Sequence, residues 1–163
     1  MNRTNGFAWR PTTTVLLLGG FLLVLIAIVA AYMVTAFRPT TEVRTGSNVY
    51  HVWVAQTDAE RTKGLSGVRK LSPNGGLLMD FKRDGSWGIW MKDMLIPLDI
   101  IWIDSNKQVI YIVKNVPPEQ STDSVMRPKN AARYVLELPA GSVDKSAIKT
   151  GQKLEFNLEE DQP

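Results

Sequence analysis

Leu98-Asp99-Ile100-Ile101-Trp102-Ile103-Asp104, then Ser105-Asn106-Lys107, then Val109-Ile110-Tyr111-Ile112-Val113-Lys114-Asn115-Val116: this run decides the fold class. Two stretches dense in β-branched and aromatic side chains flank a short polar link, which is the composition of a β-hairpin. Within the second stretch Val109, Tyr111 and Val113 alternate with Ile110, Ile112 and Lys114. Alternation with period two is the mark of a strand whose side chains point to opposite faces.

The same signals recur on both sides. Val49-Tyr50-His51-Val52-Trp53-Val54-Ala55 predicts a strand, as do residues 77–81, 87–91, 134–138 and 153–158. Thr57 followed three residues later by Glu60 is a capping box and predicts a short helix from Asp58 to Gly64 or Leu65. Residues 72–76 (SPNGG) and 83–86 (RDGS) carry turn chemistry. Residues 117–130 are polar and hold three prolines, the composition of a surface loop. Residues 144–149 predict one helical turn. Short strands separated by turns, with one short helix and no repeat, predict a mainly β domain: an antiparallel sandwich or barrel.

Ahead of this domain lies a different kind of sequence. Residues 11–37 carry no charged side chain, and residues 15–34 read VLLLGGFLLVLIAIVAAYMV. About 20 apolar residues match the length needed to cross a hydrocarbon core. The reading is a short tail at 1–14, a single transmembrane anchor at 15–37, a polar linker at 38–48, a β-rich soluble domain at 49–158 and an acidic tail at 159–163. Arg3 and Arg10 before the run favour an N-terminus inside and a domain outside the cytoplasm. Val29-Ala30-Ala31 leaves signal-peptide cleavage as the alternative, with the domain on the same side.

Composition excludes several chemistries. The 163 residues include no cysteine and one histidine, His51. Disulfides, thiolate nucleophiles and cysteine-based zinc sites are therefore ruled out. Setting aside Arg3 and Arg10 leaves 17 basic against 16 acidic residues, with no basic block of the kind nucleic-acid binders carry. Asp104-Ser105-Asn106 lacks the spacing and closing glutamate of a calcium loop. No cofactor and no metal are expected.

The most information-dense stretch is Trp90-Met91-Lys92-Asp93-Met94-Leu95-Ile96-Pro97-Leu98-Asp99-Ile100-Ile101-Trp102-Ile103-Asp104. Together with Glu60-Arg61, Gly64-Leu65, Gly76-Leu77-Leu78, Asn115, Pro117 and residues 132–141, it resembles the family called domain of unknown function 192. The resemblance spans about residues 50–155 and implies a compact, jelly-roll-like β fold without implying a chemistry. Asp93-Met94 stands where the family pattern usually reads Asn-Thr, and Ser66-Gly67-Val68-Arg69 replaces a more usual Met-Gly-Arg.

Charged side chains inside apolar runs mark the candidate site, because burial is costly unless they pair or bind. Lys92, Asp93 and Asp99 meet that description; Arg61 on the expected helix and Glu137 inside a strand add to the cluster, with Trp90 as a stacking wall. In the functional reading they line a polar ligand pocket; in the structural one they pair to satisfy one another. No catalytic residue is assigned. The expected role is a membrane-tethered, non-catalytic binding or interaction module of the cell envelope. The bilayer is its partner through residues 15–37, alongside an unidentified envelope ligand or protein and no nucleic acid. The alternatives are an envelope enzyme acting on a polar, carbohydrate-like substrate through Lys92, Asp99 and Glu137, and a structural accessory of a membrane complex.

Overall fold

A computed structural model describes residues 20–29, 39–118 and 124–158. The chain divides into two compact units, residues 1–38 and 39–163. Within the first, residues 20–29 form an exposed apolar helix, α1. Among the described residues no helix is long and apolar enough to cross a membrane. Residues 15–19 and 30–37 of the expected anchor lie outside the described residues, as do both tails.

The second unit is mainly β. Its strands are β1 (Thr40–Thr45), β2 (Asn48–Ala55), β3 (Gly75–Gly85), β4 (Leu98–Ile103), β5 (Val109–Val116) and β6 (Ala132–Pro139). Two short helices complete it, α2 (Asp58–Lys63) and α3 (Ser142–Lys145). The six strands form one mixed sheet in the order β1-β2-β3-β6-β4-β5. The expectation of a wholly antiparallel arrangement fails at β2 and β3, which run parallel with Trp53 opposite Leu77. Parallel neighbours need a crossover rather than a tight turn, and α2 with residues 64–74 supplies it.

Three further expectations need correction. The described part of the expected linker at 38–48 is not one: Thr40–Thr45 pairs antiparallel with β2, turning at Gly46, whose φ is 71°. The polar composition hid a strand whose inward residues are only Val43 and Thr45. Residues 87–91 are not a strand either; their one sheet-like pairing is an isolated bridge from Ile89 to Met126. The expected last strand at 153–158 is reduced to single bridges at Lys153 and Glu155, yet it has a structural role. Arg44 and Glu155 exchange backbone hydrogen bonds on the β1 side, while Leu154 N–H donates to Lys107 C=O on the β5 side. This segment thereby joins the two edge strands and covers the unpaired backbone that edges otherwise expose.

The two faces of the sheet bury separate cores. One contains Tyr50, Val52, Leu78, Ile101, Leu136 and Leu138, closed over by Val143, Ile148, Leu154 and Phe156. The other contains Leu77, Met79, Ile100, Trp102 and Val135, covered by Leu65, Ile89, Met91 and Met94 from the connecting segments. Every residue of β4 is buried, as its nearly continuous apolar run requires. The capping box forms as expected: Thr57 Oγ1 accepts from Glu60 N–H while the Glu60 carboxylate accepts from Thr57 N–H.

Candidate functional site

The second core face is not fully covered. Between α2, β3, β6 and the 87–94 segment it opens into a cleft of about 380 Å³. Glu137 lines this cleft, on the central strand β6 between β3 and β4, and is only 4% exposed. It stands opposite Leu77 on one side and Ile100 on the other, so all three share the cleft face. Among the described residues two buried side-chain polar atoms lack a hydrogen-bond partner, Arg133 Nε and Glu137 Oε2. Arg133 Nε lies 3.6 Å from Asp80 Oδ1. Burial without a compensating charge pushes the Glu137 carboxyl up to about 8, so it is largely protonated at neutral pH.

Backbone geometry opens the floor above this acid. Gly64 caps α2 with φ 49°, and a Cβ there would stand 3.3 Å from Met79 Cε and 3.9 Å from Glu137 Oε2. Gly76 lets β3 approach β6 at the same level, since a Cβ would fall 2.4 Å from the Glu137 carbonyl oxygen.

One wall is a stack of two rings held between two cations. The Phe81 and Trp87 rings lie 4.3 Å apart and within 9° of parallel. The Arg61 guanidinium covers Phe81 at 5.2 Å, and that of Arg83 covers Trp87 at 4.8 Å. Hydrogen bonds hold both ends: Arg61 Nη1 donates to the carbonyls of Gln56 and Asp80, and Trp87 Nε1 to that of Arg83. Trp102 Nε1 donates to the Trp87 carbonyl at 2.8 Å, fixing the segment on the sheet. Trp90, 42% exposed, and the buried Met94 also line the cleft.

The expected site residues therefore part company. Arg61, Trp90 and Glu137 border one cleft. Lys92 and Asp93 do not; their side chains are exposed and their carbonyls accept from Ser66 Oγ and Gly67 N–H, stitching two covering segments together. Asp93 has φ 56°, a conformation that Asn and Asp tolerate best, which accounts for either residue there. Asp99 is fully buried on the other face, where its two oxygens accept from Asn115 N–H and Val143 N–H, each at 2.8 Å. It is a structural acceptor that ties β5 and α3 to β4, and it does not share a cleft with Glu137. Sequence reasoning did not place Phe81, Arg83, Trp87 or Met79 in the site; they fell within expected strands and turns. The signal for Phe81 and Arg83 was their shared strand face with Met79, two residues apart each time.

The profile of domain of unknown function 192, described as "Uncharacterized ACR", matches residues 40–156. The chain belongs to this family. The match begins at β1 and ends on the closing C-terminal segment, so it takes in the whole sheet. A UPF0127 protein of Thermococcus gammatolerans is 26% identical over 110 residues, 68% of this chain and 69% of its own length. One from Thermococcus sibiricus is 27% identical over 114 residues, 68% of each chain. Among solved structures, a candidate transcription regulator from Sinorhizobium meliloti 1021 superposes with a TM-score of 0.69 at 29% identity, covering 73% of this chain and 95% of the other. A protein of unknown function from Novosphingobium aromaticivorans gives 0.66 at 28% identity, covering 72% and 84%.

Proposed function

We propose that this DUF192 domain is a non-catalytic binding module that takes a small ligand into the Glu137 cleft, and that residues 15–37 tether it at a membrane, facing the cell envelope. The observation that carries the binding reading is the unpartnered Glu137 Oε2 at an aromatic-walled opening. Buried polar groups are nearly always satisfied, and one left open toward a cavity is what a ligand would complete. Support for the tether is the uncharged run at 11–37. The two-carboxylate enzyme reading loses ground, because Asp99 and Glu137 occupy opposite faces of the sheet.

A fragment library titrated against the full-length chain in mild detergent tests the first part. Chemical-shift changes should concentrate on Gly64, Trp87, Trp90 and Glu137. Trp90→Ala should weaken the hits about tenfold, the value of one lost stacking contact, without changing the melting temperature. Hits that map elsewhere, or turnover of any library member, would count against the module. Extraction of the native protein from membranes with alkaline carbonate tests the tether: a tethered chain stays in the pellet, and release into the supernatant refutes it.

A further inference from the structure

Charge and hydrogen bonding in the cleft narrow the class of ligand. The groups that face Glu137 come from each element packed around it. Helix α2 contributes Asp58, Arg61 and Lys63, and β3 contributes Arg83. The 87–94 segment brings only uncharged side chains to the cleft, and on β4 the neighbour of Glu137 is Ile100, with Asp99 turned to the other face. Three cations thus stand against one exposed carboxylate, Asp58, which Arg61 already engages. The two guanidinium groups are engaged away from Glu137: Arg61 donates to Gln56, Asp80 and Asp58, and Arg83 lies over Trp87.

We infer that the cleft selects small organic anions with a flat apolar body, seated against the exposed Trp90 ring and the edge of Trp87, that accept a hydrogen bond from the Glu137 carboxylic acid. This deepens the binding reading above and rests on it. An anion is favoured by the cationic rim and can accept the one donor on the floor, whereas an ammonium ligand meets three like charges on entry. The aromatic and methionine walls supply the apolar contact for the body. The raised Glu137 carboxyl fits this arrangement, because the proton it keeps at neutral pH is the one the ligand needs. The binding is then proton-linked and weakens as pH rises through the range in which that proton is lost.

Three probes that share a ring and differ in the head group test this: phenylacetate, 2-phenylethanol and phenethylamine. The full-length chain labelled with 5-fluorotryptophan is titrated with each at about pH 6 and about pH 9, reading the Trp87 and Trp90 resonances. Phenylacetate should bind best, and its affinity should fall about tenfold at the higher pH, following the protonated fraction of a group that titrates near 8. Glu137→Gln, which keeps an N–H donor at every pH, should retain phenylacetate binding and lose the pH dependence. Phenylacetate binding that is indifferent to pH overturns the inference, as does its abolition in Glu137→Gln. Stronger binding of phenethylamine, rising with pH, leaves the binding cleft standing and reverses its selectivity. Silence from all three probes overturns the binding reading and the inference together.

Discussion

Asp99 and Glu137 lie on neighbouring strands and face opposite sides of the sheet, because Asp99 stands across from Leu138 and Glu137 from Ile100 in the β4–β6 ladder. Both are buried acids, yet their environments are opposed. Asp99 accepts two backbone N–H groups. Glu137 Oε2 accepts none. The first should hold the fold together, and the second should cost it stability.

Asp99→Ala should strip the acceptor from Asn115 N–H and Val143 N–H at once. At about 1–3 kcal/mol for each donor left unsatisfied, the loss is about 2–6 kcal/mol, read as a lower urea midpoint. Asp99→Asn keeps one accepting oxygen and should lose about half as much. A neutral outcome for Asp99→Ala would contradict the structural role given to this residue.

Glu137 makes stability depend on pH in a defined direction. Its carboxyl titrates near 8 in the fold against an ordinary 4.5, so between those values the folded chain binds the extra proton. Stability is therefore fully present below about 4.5, falls as pH rises, and is lowest above about 8, by a few kcal/mol in order of magnitude. Thermal melts of wild type at pH 5 and pH 9 should differ in that sense, and Glu137→Gln should narrow the gap and melt higher at pH 9. Equal narrowing in Asp99→Asn would mean that the slope has another source.

The capping box on α2 positions Arg61 for the cation–ring stack. Thr57→Ala removes the acceptor for Glu60 N–H and should cost about 1 kcal/mol. The same variant should weaken any cleft ligand slightly, because α2 forms one wall. Thermal denaturation and ligand titration on the same preparation check both effects.

Closure by the C-terminal segment should matter more than its brief hydrogen bonding suggests. Leu154 is fully buried in the core under the segment. Leu154→Ala should cost about 2–5 kcal/mol by cavity formation. Chain termination after residue 150 should expose both edge strands and produce aggregates, measured by size exclusion and light scattering. A monomeric, cooperatively folding truncation would refute the closing role.

Legibility in the sequence followed the range of the forces involved. The β4–β5 hairpin and the α2 cap were readable because strand alternation and a capping box are set by residues a few positions apart. β1 was read as linker because only Val43 and Thr45 of its six residues turn fully inward, and its pairing with β2 reverses through Gly46-Ser47. Trp87 to Met91 was read as strand because its composition is apolar, although those side chains serve to cover another strand's face. The parallel β2–β3 ladder had no local signature, since it depends on where the crossover returns the chain.

For the site, the sequence by itself determined which buried acids and aromatics the domain must accommodate, and the family pattern that holds them in order. It could not determine their sides. Each strand residue's face depends on register, and a shift by one residue would exchange Glu137 for Leu138 at the cleft. Only the tertiary structure decided that Asp99 meets two backbone donors while Glu137 meets an opening. The reason is physical: the partners of the Asp99 carboxyl come from β5 and α3, which are distant in the chain and are brought to it by the closing of the fold.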